Sequence, residues 1–171
     1  LTKGHCEKLP HLDKKYFDLS MMGIGTNVLG YCNQDIDNAV INSIKKSNMS
    51  TLNSPEEVML AEKLIELHPW FEMVRFARTG GEANAVAIRI ARAANKKDNI
   101  AICGYHGWHD WYLAANLKSK ETLDEHLISG LKTDGVPKKL KGTVFTFKYN
   151  DFESLKKIVD KNNIGTIKME V

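Results

Sequence analysis

Short apolar runs of strand length alternate with stretches of helical spacing along the second half of the chain. The predicted strands are 73–77, 99–103, 143–147 and 164–170. The predicted helices are 81–94, around 108–117 and 151–161, the last capped by Asn150 or Asp151. Because helices separate the strands, the pattern predicts an α/β fold with a mostly parallel sheet and helices on its faces.

The first half of the chain carries two helix starts. Apolar residues recur at helical spacing from 36 to 44, and Asn33 is positioned to cap that helix. Further on, Ser54 precedes Pro55, which suits the first helical position, and Glu57 completes a capping box. Both helices are therefore predicted from cap chemistry as well as from spacing.

The remaining segments read as irregular structure. A short strand is predicted at Tyr16–Leu19, followed by a loop that contains Gly23, Gly25 and Gly30. The polar segment 118–142 also carries glycine and proline, which predicts a long loop.

Composition narrows the class of protein. The chain has 171 residues, of which 43% are hydrophobic, and this suits one soluble globular domain. Basic and acidic residues are mixed, and the net charge is +3. The one local basic run, 138–141, is too short to indicate nucleic-acid binding and is interpreted as a solvated loop.

Cysteine usage and hydropathy point to the cytoplasm. Cys6, Cys32 and Cys103 are odd in number and widely spaced, so no disulfide framework and no Cys-x-x-Cys metal motif is predicted. Free thiols fit a reducing compartment. No run of 18 apolar residues and no leader pattern is present, so no membrane association is expected.

The corner at Thr79-Gly80-Gly81 is the first candidate site. Two glycines at the start of an alanine-rich helix let a ligand approach the backbone, and the free N–H groups there favour an anion. The corner matches neither the dinucleotide-binding motif nor the P-loop. From these residues alone, an ordinary strand–turn–helix corner is an equally good interpretation.

A second unusual cluster follows the strand at 99–103. Residues 105–112 read YHGWHDWY, and ligands usually bind at the strand ends of such sheets. Aromatic rings there could stack on a flat heterocycle and an imidazole could bond to it, although core packing is the alternative. A zinc site formed by His106, His109 and Asp110 is a further alternative, but the spacing is not that of zinc hydrolases and no fourth ligand is evident.

Together these motifs resemble one family. Residues 78–92, RTGGEANAVAIRIAR, resemble the signature of class III aminotransferases, and residues 104–110, GYHGWHD, resemble that family's Gly-x-Tyr-His-Gly-x-x-Asp motif at the matching distance. Segments 16–31 and 53–57 resemble the family's opening motifs, so the resemblance covers nearly the whole chain. Its nearest branch is the glutamate-1-semialdehyde 2,1-aminomutase-like group.

The resemblance implies a fold and a cofactor. It implies a three-layer fold-type-I enzyme that uses pyridoxal 5′-phosphate (PLP), moving an amino group from a small-molecule donor to a keto acceptor or within one substrate. Residues 1–32 would be an N-terminal segment of the small domain, and residues 33–171 an incomplete large domain. The family also implies a homodimer.

Residue roles carry over from the family only at matching positions. The cofactor phosphate would be held by Thr79, Gly80 and Gly81, with Glu82 nearby. Tyr105 would stack on the cofactor ring and His106 would lie beside it. Glu170 would be a catalytic residue close to the active site. The residues expected to face the substrate or the partner subunit are Gly25, Asn53 and Ser54.

Three positions depart from the family pattern. Gly81 stands where threonine is commoner, which removes one hydroxyl ligand and keeps the N–H. Val171 stands where proline is common after the glutamate, and segment 12–15 departs from the family's opening Trp-Asp-x-Asp-Gly.

The resemblance also predicts what this polypeptide lacks. In the family, the lysine that forms the Schiff base and the aspartate that pairs with the pyridinium nitrogen come after the region matched here. Lys168 lies before the family's glutamate on the same strand and is not a substitute. We therefore expect an N-terminal fragment of a longer enzyme that is inactive alone. The alternatives are a non-catalytic phosphate-binding or partner-binding module and a zinc hydrolase.

Overall fold

The computed structural model describes residues 6–8, 15–17, 22–47, 51–124, 126 and 129–170. The chain divides into two compact units, Leu1–Val74 and Arg75–Val171. The assignment of residues 1–32 to a small domain remains a prediction.

The described residues of the first unit form two strands and two helices. Strand β1 (Cys6–Lys8) pairs antiparallel with β2 (Lys15–Phe17), and the helices are α1 (Gln34–Lys46) and α2 (Pro55–Leu67). Strand β2 overlaps the predicted strand 16–19, whose last two residues lie outside the described residues.

Asn33 and Ser54 cap their helices as predicted, but among the described residues the Ser54 N–H makes no bond to the Glu57 carboxylate, so the predicted capping box is only half formed. The Asn33 side chain accepts hydrogen bonds from the N–H groups of Asp35 and Ile36, at 3.1 and 3.2 Å. Ser54 Oγ accepts the Glu57 N–H at 3.2 Å. Such caps satisfy N–H groups that the first helical turn otherwise leaves without partners.

The second unit is an α/β layer structure. Its elements are α3 (Gly80–Asn95), β3 (Asn99–Cys103), α4 (Asp110–Leu113), β4 (Val144–Thr146), α5 (Phe152–Lys161) and β5 (Ile164–Met169). The sheet order is β4-β3-β5, and both pairings are parallel. The predicted parallel sheet is therefore confirmed.

Alternate residues of the central strand β3 face two hydrophobic layers. Ile100 and Ile102 are fully buried on one face, in a cluster with Ile88 of α3 and Trp111 of α4. On the other face, Ala101 and Cys103 form a second cluster with Phe147 and with side chains of α5. Helices therefore cover both faces of the sheet, which gives three layers.

The prediction of a strand at residues 73–77 is wrong. These residues form no strand in the described part of the chain, although the alternating pattern favoured one. A strand requires a neighbouring strand that accepts and donates its backbone hydrogen bonds, and no described strand pairs with this segment. The helix predicted around 108–117 is also split, because α4 ends at Leu113 and the chain continues as a 3₁₀ helix, Ala114–Leu117.

The described part of the predicted loop 118–142 contains a 3₁₀ helix, Lys138–Leu140, and the segment is anchored by a buried side chain. Asn116 is buried, its Oδ1 accepts the Leu123 N–H at 2.8 Å, and its Nδ2 donates to the Leu131 carbonyl at 3.0 Å. A single amide thus satisfies two backbone groups of the segment, which keeps the segment against the core. Of the helices in the described part of the chain, none has the length and apolar content that a bilayer crossing needs.

Candidate functional site

A cavity of ≈ 460 Å³ lies between the start of α3 and the segment that joins β3 to α4. It is lined by Thr79, Gly80, Gly81, Glu82, Asn84, Tyr105, His106, Gly107, Trp108 and His109. The fold therefore brings the two sequence motifs, which are about twenty residues apart, to one cavity at the carboxyl end of the central strand.

The start of α3 leaves two backbone donors free. Thr79 Oγ1 accepts the Glu82 N–H at 3.2 Å, and Glu82 Oε2 accepts the Arg78 N–H at 3.0 Å. Among the described residues, no acceptor bonds the N–H groups of Gly80 and Gly81. Two free donors at the positive end of a sixteen-residue helix favour an anion.

Two glycines allow the two walls to approach each other. A Cβ atom at Gly107, whose φ is 106°, would lie 3.1 Å from the Gly81 Cα. A Cβ atom at Gly81 would lie 2.6 Å from Cε1 of the His109 ring. The close contact of backbone with backbone, and of backbone with imidazole, therefore requires that both positions lack a side chain.

His106 is a buried, neutral imidazole. The residue is 3% exposed, and its Nε2 lies 2.9 Å from the Cys103 carbonyl oxygen. Because a carbonyl only accepts, Nε2 carries the proton and Nδ1 keeps its lone pair. Burial, and secondarily the positive charge of Lys168, lowers the pKa of His106 despite the opposing effects of the Cys103 bond and the Glu170 charge.

The turn at Gly104 positions Tyr105. Gly104 has a φ of 94°, its N–H donates to His126 Nδ1 at 2.9 Å, and its carbonyl accepts the Tyr112 hydroxyl at 3.2 Å. The next N–H, that of Tyr105, donates to Glu170 Oε2 at 3.2 Å. Burial, with the charges of Tyr105 and Glu170, raises the pKa of Tyr112 to about 12, so its hydroxyl stays a donor at neutral pH.

Three residues outside the predicted site stabilise this arrangement through hydrogen bonds. His126 lies in the polar segment 118–142, where nothing in the sequence marks it. Tyr112 belonged to the aromatic cluster, but its hydroxyl bond depends on the turn. Asn84 lies in the RTGGEAN motif, and its Nδ2 donates to the His106 carbonyl at 3.2 Å, which ties the two walls together.

The zinc alternative finds no support in the geometry. His106 directs Nε2 to a backbone carbonyl, whereas His109 packs on Gly81. Across the described ranges, no group of three histidine, cysteine, aspartate or glutamate side chains is placed to hold a metal ion.

The other predicted site residues lie in the first unit. Gly25 is in the turn region 22–32 with a φ of 78°, and Ser54 caps α2. Asn53 is exposed beside it. Their predicted place near substrate or a partner subunit stays a prediction.

Comparison with known proteins gives one family. The class III aminotransferase family matches residues 8–164. The 3-aminobutyryl-CoA aminotransferase of Cloacimonas acidaminovorans is 36% identical over 149 residues, which cover 86% of this chain and 32% of that protein. The glutamate-1-semialdehyde 2,1-aminomutase of Campylobacter hominis is 33% identical over 159 residues, which cover 91% of this chain and 34% of that protein.

Solved structures give the same fold. An omega-transaminase from Sphaerobacter thermophilus superposes with a TM-score of 0.74 at 24% identity, covering 88% of this chain and 35% of the other. A transaminase with PLP bound superposes with a TM-score of 0.68 at 27% identity, covering 82% and 33%. The predicted three-layer fold of the PLP-dependent transferases is thereby confirmed.

The chain spans about a third of the length of the relatives and solved structures that it matches. Those relatives include both transaminases and aminomutases. The family match covers most of the chain, including both walls of the cavity. The chain belongs to the class III aminotransferase family.

Proposed function

We propose that this chain forms part of a PLP-dependent enzyme that moves an amino group from a small-molecule donor to a keto acceptor, or within one substrate as an aminomutase. The single observation that carries the proposal is the cavity, where two free backbone donors lie opposite an aromatic and imidazole wall. This combination suits a flat, phosphorylated cofactor, because helix-start N–H groups bind anions and aromatic walls accept planar rings.

The residues present fit such a cofactor. The free N–H groups of Gly80 and Gly81 would bind the phosphate, and the Thr79 hydroxyl, whose oxygen already accepts the Glu82 N–H, keeps a proton to donate. At Gly80 an ideal Cβ position has no protein contact within 4 Å, which leaves room for a ligand next to the backbone. When bound, PLP supplies an electron sink that stabilises negative charge on the substrate carbon.

The second wall would orient the ring. Tyr105 would stack on it, because the neighbouring turn and the Glu170 carboxylate hold the Tyr105 backbone. His106 would lie beside the ring as a neutral imidazole, because its lowered pKa keeps it uncharged at neutral pH. Glu170 is then a positioning residue that acts through the Tyr105 N–H.

The complete enzyme needs groups outside the printed sequence. The Schiff-base lysine of the family lies beyond the matched region, so we propose that a polypeptide of residues 1–171 has no transaminase activity by itself. The proposal extends to a cytoplasmic homodimer in which Gly25, Asn53 and Ser54 lie near substrate or the partner's cofactor.

The Gly80→Ala variant of the full-length protein tests the proposed phosphate site at the start of α3. A Cβ atom at this position meets no protein atom within 4 Å, so the variant should keep the Tm of the cofactor-free protein. The added methyl would instead meet a phosphate bound closely at the helix start. We expect a PLP dissociation constant at least ~10-fold higher, by steric exclusion and lost N–H contact. Unchanged PLP affinity in a folded variant would contradict the proposed phosphate site.

Activity assays separate the two reactions. Purified full-length protein loaded with PLP is offered amino donors with a keto acid, and separately glutamate 1-semialdehyde without any acceptor. Product formation only in the presence of the keto acid identifies a transaminase, whereas conversion of the single substrate identifies a mutase. A protein that binds PLP and shows neither reaction across a broad donor panel argues against the proposed chemistry.

A further inference from the structure

The His109 ring occupies the space that a side chain at position 81 would need. An ideal Cβ atom on Gly81 would lie 2.6 Å from Cε1 and 2.8 Å from Nδ1 of this imidazole. Real Cβ atoms do not approach other atoms so closely. The ring therefore lies directly against the helix start that carries the two free N–H groups.

The His109 ring contacts Trp108 and Gly81, but its nitrogens make no hydrogen bond within the described part of the chain. Its Nδ1 is buried, and among the described residues it has no hydrogen-bond partner. His109 is the N-cap residue of α4, yet its side chain makes no cap hydrogen bond. Buried polar atoms are nearly always paired, so an unpaired one in a side chain that lines a cavity needs an explanation, and a bound ligand is one such explanation.

The cavity also lacks a stronger partner for an anion. The ten residues that line it include no lysine and no arginine, and Glu82 is an acid. The cavity is lined by one other imidazole, that of His106, whose Nε2 proton already bonds the Cys103 carbonyl. His109 is thus the lining side chain with an unused imidazole donor next to Gly80 and Gly81.

We propose that the His109 imidazole donates a hydrogen bond to the phosphate of the cofactor bound at the Gly80–Gly81 helix start. This assignment rests on the proposed function and adds one protein side chain to the groups that bind the phosphate. The ring takes the volume of a side chain at position 81 and supplies the donor that glycine cannot supply.

Four variants of the full-length, cofactor-free protein test the proposal: H109F, H109A, G81S/H109A and G81S. H109F keeps an aromatic ring on Gly81 and removes both nitrogens, and H109A removes the ring. G81S/H109A places a hydroxyl donor on the helix in the space that the ring vacates. Dissociation constants for PLP and for pyridoxal, which lacks the phosphate, are measured by quenching of protein fluorescence, with Tm as the check on folding.

The expected result is specific to the phosphate. H109F and H109A should bind PLP ~10-fold more weakly, with pyridoxal affinity changed less than about twofold, because one hydrogen bond to a charged group is lost. G81S/H109A should recover most of the PLP affinity, whereas G81S alone should not, because its side chain meets the His109 ring.

Two results would overturn the assignment: unchanged PLP affinity in folded H109F and H109A, or an equal loss for PLP and pyridoxal, which would mean that the ring only packs. H109A decides the matter if H109F does not fold. Failure of the unaltered protein to bind PLP would be a different outcome, because it refutes the proposed function together with this assignment.

Discussion

The backbone N–H of Gly104 donates a hydrogen bond to the buried Nδ1 of His126, 2.9 Å away. This bond links the turn at the end of the central strand to the segment 118–142, twenty-two residues further along the chain. Because Nδ1 accepts, the proton of His126 is on Nε2. The loop segment therefore helps to fix the turn that carries Tyr105 and His106.

Replacing His126 with leucine should destabilise the protein. The Gly104 N–H would lose its acceptor while remaining enclosed, which costs about 1–3 kcal/mol. H126N is the matched control, because its amide oxygen can take the place of Nδ1. Urea unfolding of the full-length variants measures the difference, and equal losses for leucine and asparagine would show that the bond contributes little.

Gly104→Ala should be severely destabilising. The residue has a φ of 94°, and a Cβ atom there would lie 2.7 Å from the Glu170 Cβ. The conformation alone costs about 1–3 kcal/mol, and the clash adds to it. Gly142→Ala is the control, because its φ is 83° but a Cβ atom there meets nothing within 4 Å. In thermal unfolding, the Tm of Gly104→Ala should be well below that of Gly142→Ala. Similar Tm values would contradict the contact with Glu170.

His106 should make stability depend on pH. Burial and Lys168 lower its pKa in the folded state, so the unfolded chain takes up a proton first as the pH falls. The stabilising contribution is present above the unfolded pKa of about 6.5 and is lost as the pH falls through that value towards the folded pKa.

The H106Q variant measures this contribution. Glutamine can still donate to the Cys103 carbonyl through its amide but cannot be protonated. We expect the urea midpoint of the unaltered protein to fall more steeply than that of H106Q below about pH 6.5. Parallel pH profiles for the two proteins would show that His106 does not cause the dependence.

Thr79 should contribute to α3 as a cap. T79V keeps the shape of the side chain but removes the oxygen that accepts the Glu82 N–H, at a cost of about 1 kcal/mol. T79S retains that oxygen and should be close to the unaltered protein. Urea unfolding of the cofactor-free protein compares them. Equal stability of T79V and T79S would contradict the cap, independently of any effect on cofactor affinity.

Much of the architecture could be predicted because it depends on local chemistry. Asn33 and Ser54 cap their helices wherever those helices pack, and the apolar run at 99–103 is a strand because both of its faces are buried. Segment 73–77 has a similar local pattern but forms no strand, because a strand also needs a neighbour and the sequence does not supply one locally.

The sequence by itself determined the α/β pattern, the helix caps, the glycine corner and the aromatic cluster, since each depends on residues close together in the chain. Only the tertiary structure decided that His126 bonds the turn, that Glu170 bonds Tyr105, and that His109 lies against Gly81. The two hydrogen bonds join residues that are 22 and 65 positions apart in the chain. No local pattern encodes such pairings, because they exist only once the parallel sheet has brought its strand ends to one edge.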